Sequence, residues 1–184
     1  MSERELVERA KRGDVYAFGE LVKRRQTSVY AYAYAILRRE ADALDVCQEA
    51  FLRAFRELRR LKDPEKFFPW LLRITHSRAM DAANDDLRRR FREGEAGPNE
   101  TLADDAPMPL DEVLRRERKE VLWSAFAELA PEPRALLRLA YFEGLSYGEI
   151  GDILGVPVGT VKSRVSRAKA KLRALLRETG GDEL

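Results

Sequence analysis

The residues of this chain best suited to chemistry are the cations near its C-terminal end. Between Val158 and Arg177 the sequence contains seven basic side chains and no acidic one. These are Lys162, Arg164, Arg167, Lys169, Lys171, Arg173 and Arg177. Apolar residues recur among them at helical spacing, which predicts one helix with a buried stripe and a cationic outer face. Such a face attracts phosphate, so the chemistry it indicates is binding to a polyanion.

A short capped helix is predicted just before the basic one. Ser146 and Glu149 have the spacing of a capping box, Gly155 is suited to end the helix, and Pro157 precedes the next. A short helix, a tight turn and a second helix form a helix-turn-helix, whose second helix reads base edges in the major groove. The alternative, an amphipathic helix of an ordinary bundle, does not account for the capped turn. The side chains expected on the outer face are Lys162, Ser163, Ser166 and Arg167.

A second polar surface is predicted on a helix around residues 44–61. Its apolar stripe consists of Leu44, Cys47, Phe51, Ala54, Phe55, Leu58 and Leu61, and it predicts a buried face that includes the cysteine. The opposite face carries Asp45, Gln48, Glu49, Leu52, Arg53 and Arg56. A leucine among charges suits a protein partner, although a plain solvated face gives the same pattern.

Aromatic residues mixed with cations mark a third candidate site. Phe67, Phe68 and Trp70 precede Arg73, Arg78 and the run Arg88, Arg89 and Arg90. Proteins that bind single-stranded DNA combine aromatic stacking surfaces with basic side chains in this way. The competing interpretation is that aromatics at helical spacing form a core. Both interpretations remain open from spacing alone.

Enzymatic sites are not indicated by the sequence. His76 is the single histidine and Cys47 the single cysteine, and neither a zinc-protease motif nor a glycine-rich phosphate loop is found. His76 and Ser77 are neighbours on a predicted helix and point about 100° apart, so they form no catalytic pair. We therefore expect no catalytic residue, no metal and no cofactor.

These surfaces belong to a predicted all-α chain of two small helical domains. Four helices are expected in residues 1–93, with Pro69 at the first position of the fourth, and a second domain in residues 112–184. Residues 94–111 lack periodicity, are rich in Gly, Pro and acids, and are predicted to be a flexible acidic linker. Residues 1–93 carry 21 basic and 16 acidic side chains, and residues 113–184 carry 13 and 10, so two basic modules flank the linker.

The sequence also indicates the cellular compartment of the protein. One cysteine allows no intramolecular disulfide, the N-terminus lacks the apolar core of a signal peptide, and the longest weakly polar run, residues 28–37, is too short to cross a bilayer. We expect a cytoplasmic protein with no membrane contact except through a partner.

The chain resembles the extracytoplasmic function sigma factors, which are subunits of bacterial RNA polymerase. The stretch from Asp45 to Phe55 is similar to the region 2.2 signature of this family, which docks on the beta-prime clamp helices of the polymerase. Residues 67–90, with Trp70 and Ile74, resemble regions 2.3 and 2.4, which open and read the minus-ten promoter element. Residues 146–172 match region 4.2, which reads the minus-thirty-five element.

The resemblance implies a role for each surface. Core polymerase binding is expected at Asp45, Gln48, Glu49, Leu52, Arg53 and Arg56. Minus-ten DNA binding is expected at Trp70, Arg73, His76, Ser77, Arg78, Asp81, Arg88 and Arg89, with Ser77 where many relatives have asparagine. Minus-thirty-five DNA binding is expected at Thr160, Lys162, Ser163, Arg164, Ser166, Arg167 and Lys171. The implied partners are core polymerase, through the beta-prime clamp helices and the beta flap, promoter DNA and an anti-sigma factor.

Two other functions are compatible with a helix-turn-helix on a basic chain. A classical activator or repressor would dimerise and bind duplex DNA alone, whereas a sigma factor is expected to act as a monomer with core polymerase. An interaction module would use its basic helices to bind an acidic protein. Binding to DNA that weakens with salt would argue against this last alternative.

Overall fold

The computed structural model describes residues 1–93 and 121–178, with side chains described for 1–89 and 121–178. Within these ranges all regular structure is helical, and the prediction of an all-α fold is confirmed. The helices are α1 (Glu3–Lys11), α2 (Val15–Leu37), α3 (Glu40–Glu57), α4 (Phe67–Glu93), α5 (described over residues 121–128), α6 (Pro131–Tyr141), α7 (Tyr147–Leu154) and α8 (Val158–Glu178). Two short 3-10 turns, Leu58–Arg60 and Pro64–Lys66, connect α3 to α4.

The helix ends follow local signals in the sequence. Ser2 and Glu5 form a capping box at the start of α1, and Gly13 adopts a φ of 97° in the turn that follows. The Asp14 carboxylate accepts a hydrogen bond from the Ala17 backbone N–H at 3.0 Å and caps α2. These helices therefore begin where short-range hydrogen bonds satisfy their first backbone donors.

Two sequence expectations about the helices are corrected. Pro69 is the third residue of α4, not the first; it is tolerated there because the first turn of a helix leaves its N–H groups without intrahelical partners. Leu44 and Phe55, expected in the core, are 45% and 43% exposed. The buried stripe of α3 is narrower than the apolar pattern suggests.

One apolar core holds α1 to α4 together. Leu6, Leu21, Phe51, Phe67 and Leu71 are buried in it and come from all four helices. Burying side chains of this size typically contributes about 1.5 to 3 kcal/mol each, so these contacts stabilise the bundle that presents the outer faces of α3 and α4.

A second core joins the two halves of the chain. Ile36 and Leu72 from α2 and α4 lie in the same buried cluster as Leu136, Ile150 and Val161 from α6, α7 and α8. In this cluster α2 packs against α6 and α4 packs against α7. The described halves thus meet across a continuous apolar seam.

A buried arginine crosses that seam. Arg134 of α6 is only 4% exposed, and its guanidinium donates hydrogen bonds to the carbonyl oxygens of Ala35 and Ile36 at the end of α2. It also donates to Ala127 and Leu129 of its own half, at 2.7 and 3.1 Å. The last carbonyls of a helix lack intrahelical donors and carry partial negative charge, so a cation suits them. Burial lowers the pKa of Arg134 to about 10, which leaves it charged at neutral pH.

The predicted linker, residues 94–111, lies outside the described residues, as do the flanking positions up to 120. The boundaries of the two domains remain predictions for that reason. Among the described helices, none is both long enough and apolar enough to span a membrane.

Candidate nucleic-acid interface

The helix-turn-helix is built by α7 and α8. The Ser146 side chain accepts from the Glu149 backbone N–H, and the Glu149 carboxylate accepts from the Ser146 backbone N–H at 2.9 Å, as the capping box predicts. These hydrogen bonds, the one from the backbone N–H above all, hold the pKa of Glu149 below its ordinary value. Gly155 ends α7 with a φ of 68°, a conformation that favours glycine. The turn therefore fixes where α8 begins.

Sequence reasoning missed one residue of this turn. A Cβ on Gly151 would lie 2.7 Å from the carbonyl oxygen of Val156, closer than carbon and oxygen can approach. The same glycine accepts a hydrogen bond from the Val156 N–H at 3.0 Å. Gly151 thus permits the close approach of helix and turn. Its only sequence signal is a glycine inside a helical pattern, which is ambiguous.

The exposure of α8 side chains follows the predicted pattern. Val161, Val165 and Ala168 are buried against α6 and α7. The predicted minus-thirty-five contacts that are exposed are Lys162, Ser163, Ser166, Arg167 and Lys171, while Thr160 and Arg164 are half-buried. The structure thus leaves five of these side chains accessible to a ligand, and their contacts with DNA remain predictions.

Arg164 lies in a different environment from the other cations of α8. Its Nη1 donates a hydrogen bond to the Glu132 carboxylate at the start of α6. The two residues line an open groove of about 320 Å³. The other residues of this groove are Pro133, Leu136, Arg167, Ala168 and Lys171. Sequence reasoning missed Glu132, which lies 32 positions away from its partner.

The opposite flank of α8 contains an apolar pocket of about 250 Å³. Its lining includes Leu122, Trp123, Phe126, Leu137, Tyr141 and Phe142. Trp123 and Phe142 rings lie 5.5 Å apart and are both partly exposed. Lys169 has its Nζ 5.6 Å from the centre of the Tyr141 ring, so this cation faces the pocket and not the outer face of α8. This surface was not predicted from the sequence.

Some of the candidate minus-ten residues on α4 are exposed and the others are half-buried. Arg73, Ser77 and Asp81 are spaced four residues apart and form one exposed stripe, and Arg88 and Arg89 are exposed further along the helix. Trp70 is half-buried, with its ring 6.2 Å from that of Phe67. Phe67 and Phe68 are therefore core residues, as the second interpretation predicts, whereas Trp70 lies at the edge of the core and its contact with DNA remains a prediction.

His76 faces inward from the same helix. Its Nδ1 is 2.9 Å from the Tyr32 hydroxyl, across the gap between α4 and α2. Burial lowers the pKa of His76, and the charge of Glu132 opposes that shift weakly. Burial likewise raises the pKa of Tyr32. The imidazole is therefore held neutral against the core, and only part of it is accessible to a ligand.

The predicted polymerase-binding residues lie on the outer face of α3. Asp45, Gln48, Glu49, Leu52, Arg53 and Arg56 are all exposed, and Leu52 has 57% of its surface accessible. Leu52 lines a largely apolar groove of about 770 Å³ between α2 and α3, together with Val15, Phe18 and Phe55. This groove explains why Leu44 and Phe55 are exposed: both belong to its lining. Cys47 also lines it, and burial raises the pKa of its thiol, which disfavours the reactive thiolate.

An ion pair joins two of the predicted sites. Arg78 of α4 donates to the Glu49 carboxylate of α3, with the Nε hydrogen bond at 2.8 Å. Arg78 is a predicted DNA contact and Glu49 a predicted polymerase contact, and the structure brings them together at the edge between the two helices. Among the described residues, no group of three or more His, Cys, Asp or Glu side chains is placed to hold a metal ion.

Comparison with known proteins identifies both halves of the chain. The family described as "Sigma-70 region 2" matches residues 21–90, and the family described as "Sigma-70, region 4" matches residues 119–172. The ECF RNA polymerase sigma factor SigW of Bacillus subtilis is 31% identical over 178 residues, which cover 94% of this chain and 95% of SigW. The ECF RNA polymerase sigma-E factor of Haemophilus influenzae is 33% identical over 182 residues, 92% of each chain.

Solved structures share the fold. CnrH, in complex with the cytosolic domain of CnrY, is similar with a TM-score of 0.67 and 28% identity over 96% of this chain and 97% of CnrH. The sigma factor RpoE of Bartonella quintana, in complex with the anti-sigma factor NepR, has the same TM-score of 0.67 over 87% of this chain and 96% of RpoE. RpoE is 23% identical to this chain, so that likeness concerns the fold alone.

Proposed function

Because the chain belongs to the extracytoplasmic function sigma factors of the sigma-70 family, we propose that it binds core RNA polymerase with α3 and reads promoter DNA with α4 and α8. Members of this family are transcription initiation factors. In this proposal the chain contributes recognition and is not itself a catalyst. The observation that carries it is the position of the basic helix α8, whose buried stripe leaves Lys162, Ser163 and Arg167 exposed after a capped turn.

The polymerase contact is assigned to the outer face of α3 and the groove beside it. Leu52 is an exposed leucine at the edge of a largely apolar groove, and charged side chains surround it on α3. Interfaces commonly have an apolar centre and a polar rim, which is the arrangement found here. The beta-prime clamp helices are the proposed occupant. The apolar pocket around Trp123 and Phe142 is the proposed contact for the beta flap.

The minus-ten contact is assigned to the exposed stripe of α4 and the half-buried Trp70. Extruding a base from the duplex costs a few kcal/mol of unstacking, which stacking and hydrogen bonds to the base edge must offset. Trp70 offers an aromatic surface, and Arg73 and Ser77 offer donors one turn apart. His76 has its Nδ1 already engaged by Tyr32, so we assign the larger part of the contact to Arg73 and Ser77.

Control by an anti-sigma factor is part of the proposal. CnrH, which is 28% identical to this chain, was solved with the cytosolic domain of another protein bound to it, and this supports a regulatory protein partner here. Such a partner would have to cover surfaces on both halves of the chain. Since polymerase and promoter DNA are cytoplasmic, we place the chain in the cytoplasm, acting as a monomer.

Run-off transcription tests the proposal. Core polymerase is mixed with the full chain and a pool of duplexes with randomised upstream elements, and the transcribed templates are sequenced. We expect transcripts from templates that share two elements, and none without the chain. A chain that bound duplex as a dimer and left core polymerase inactive on every template would instead be a regulator, and the proposal would be wrong.

A matched pair of variants tests the α3 assignment in the same assay. Leu52→Arg places a charge at the edge of the apolar groove and should abolish binding to core polymerase. Tyr16→Arg makes a comparable change at a residue that is 89% exposed and does not line the groove. We expect this control to bind core polymerase like the wild type, and equal losses in the two variants would count against the assignment.

A further inference from the structure

Arg164 forms an ion pair with an acidic side chain, Glu132. Among the described contacts, its neighbours Lys162 and Arg167 on α8 have no acidic partner. Lys162 and Arg167 extend from the exposed face of the helix, whereas Arg164 turns along its flank to reach Glu132 on α6. The Arg164 and Glu132 side chains are 35% and 55% exposed. A carboxylate thus lies directly beside the surface that is proposed to contact DNA phosphates.

The backbone holds Glu132 in a fixed place. Pro131 and Pro133 flank it in the first turn of α6, and each proline ring locks its own φ. The start of a helix also favours a negative side chain. Buried Leu136 of α6 and Val165 of α8 keep the two helices at a set distance. The ion pair is therefore built into the packing of α6 against α8.

The groove around this pair contains three cations and one carboxylate. Arg164, Arg167 and Lys171 line it from α8, and Glu132 lines it from α6. Attraction to any DNA, cognate or not, grows with the number of phosphates that cations neutralise. Base-edge hydrogen bonds, by contrast, contribute to cognate DNA only. Base-edge hydrogen bonds fix the position of α8 on cognate DNA, whereas on non-cognate DNA the helix can shift until its cations reach phosphates. A carboxylate that occupies one of these cations therefore weakens non-cognate binding more than cognate binding, provided that this cation reaches a phosphate only in the shifted position.

We propose that Glu132 is a specificity-determining residue: it holds the Arg164 guanidinium against the flank of α8 and so withholds that cation from the phosphates of non-cognate DNA. The proposal rests on the function proposed for α8. Specific interfaces often depend on features that weaken the wrong complex, and Glu132 has that role here. Arg164 is accordingly not a base reader, in contrast to the sequence expectation that grouped it with Arg167.

The test compares two duplexes bound by holoenzyme made from core polymerase and the full chain. One duplex carries the minus-thirty-five element that wild-type holoenzyme selects from the randomised pool, and the other carries the same bases permuted. Glu132→Gln should tighten binding to the permuted duplex about 3-fold or more, with a steeper salt dependence, because an additional phosphate is neutralised. Binding to the selected duplex should change by less than about 2-fold, because base-edge hydrogen bonds fix α8 in a position from which Arg164 does not reach a phosphate.

Glu20→Gln is the matched control. It also removes one exposed carboxylate from an ion pair, but on a different helix, α2. Glu20 forms an ion pair with Lys23 at 2.7 Å on α2 and its side chain is 49% exposed, close to the value for Glu132. This variant should leave the ratio of the two affinities unchanged. Thermal melting of each variant, followed by circular dichroism, checks that the helices remain folded.

Arg164→Ala separates an effect through the ion pair from a direct one. In the Arg164→Ala background, Glu132→Gln should produce no further change in the affinity ratio. A full effect in that background would mean that Glu132 repels DNA by itself, and an equal effect on both duplexes would mean that it alters general electrostatics; either result would overturn the inference. If wild-type holoenzyme selected no upstream element at all, the function proposed for α8 would be wrong, and this inference with it.

Discussion

Arg167 and Arg164 lie one turn apart on α8, and their surroundings differ. Arg167 is exposed, whereas Arg164 is half-buried and paired with Glu132. Lys169 is turned towards the Tyr141 ring on the other flank. A count of cations in the sequence treats the three alike. Their contacts indicate three separate roles, and variants should distinguish them.

Arg167→Ala should weaken binding selectively. If this side chain reads a base edge, holoenzyme should lose about 1 to 3 kcal/mol on the selected promoter and much less on one with a permuted minus-thirty-five element. Arg173, exposed further along α8, is the control, since Arg173→Ala should weaken both duplexes similarly. Equal losses on both duplexes for Arg167→Ala would contradict the assignment of base reading.

His76 should make stability depend on pH. Burial lowers its pKa below the ordinary value of 6.5, so the unfolded chain takes up a proton there that the folded chain does not. The free energy of unfolding should therefore fall as the pH is lowered from about 7 to 5.5, by at most about 1.4 kcal/mol per pH unit. Urea titrations across this range measure it.

The pH dependence of stability can be assigned to one residue by mutation. His76 is the single histidine of the sequence, so His76→Gln should remove most of the slope above pH 5.5. A slope that survives the substitution would show that another group is responsible.

At the scale of single elements, the packing of α7 against the turn that follows it depends on a short distance between the backbones of Gly151 and Val156. The Val156 carbonyl oxygen lies 2.7 Å from the position that a Cβ on Gly151 would take. Gly148, on the same helix, has room for a Cβ, with its nearest neighbour at 3.8 Å. Gly151 and Gly148 therefore form a matched pair for mutation. A side chain would clash with the turn at Gly151 and would be accommodated at Gly148.

Gly151→Ala should destabilise the helix-turn-helix. The added methyl forces the turn to shift, and overpacking of this kind typically costs about 1 to 3 kcal/mol. Gly148→Ala should be neutral or should stabilise by about 0.5 to 1 kcal/mol, since glycine is unfavourable inside a helix. Thermal melting measures both effects. A loss of equal size in both variants would show that the contact with Val156 is not the cause.

At the scale of the whole molecule, the closed seam is incompatible with reading both promoter elements at once. Elements about 25 base pairs apart are separated by about 85 Å along B-form DNA, at 3.4 Å per base pair. A compact chain of this length has a radius of gyration of about 16 Å, so it cannot span that distance. The contacts of Arg134 with Ala35 and Ile36 must therefore break before both elements are bound.

Reversing one charge at the seam should shift the free chain towards open forms. Lys66 forms a cross-seam ion pair with Glu149 at 3.1 Å, outside both apolar cores. Lys66→Glu places two carboxylates opposite each other and should increase the radius of gyration in X-ray scattering, with an increase that is smaller at high salt. Lys62→Glu reverses a charge at an exposed lysine four residues earlier and serves as the control. Identical scattering from both variants would contradict a role for this ion pair in closure.

The sequence by itself determined the features that depend on short-range physics. The capping boxes of Ser2 and Ser146, the positive φ of Gly155 and the inward stripe of α8 all follow from residues within a few positions of each other. The three motifs that indicated a sigma factor were also local, and the family assignment they suggested is confirmed.

Only the tertiary structure decided which side chains share an environment across long separations in sequence. Glu132 pairs with Arg164, Arg134 binds the end of α2 about 98 positions away, and Leu44 and Phe55 line a groove where the apolar pattern predicted core. Periodicity gives the faces of one helix, but the width of a buried face depends on the helix packed against it. That packing determines which of the predicted residues are accessible to DNA or polymerase.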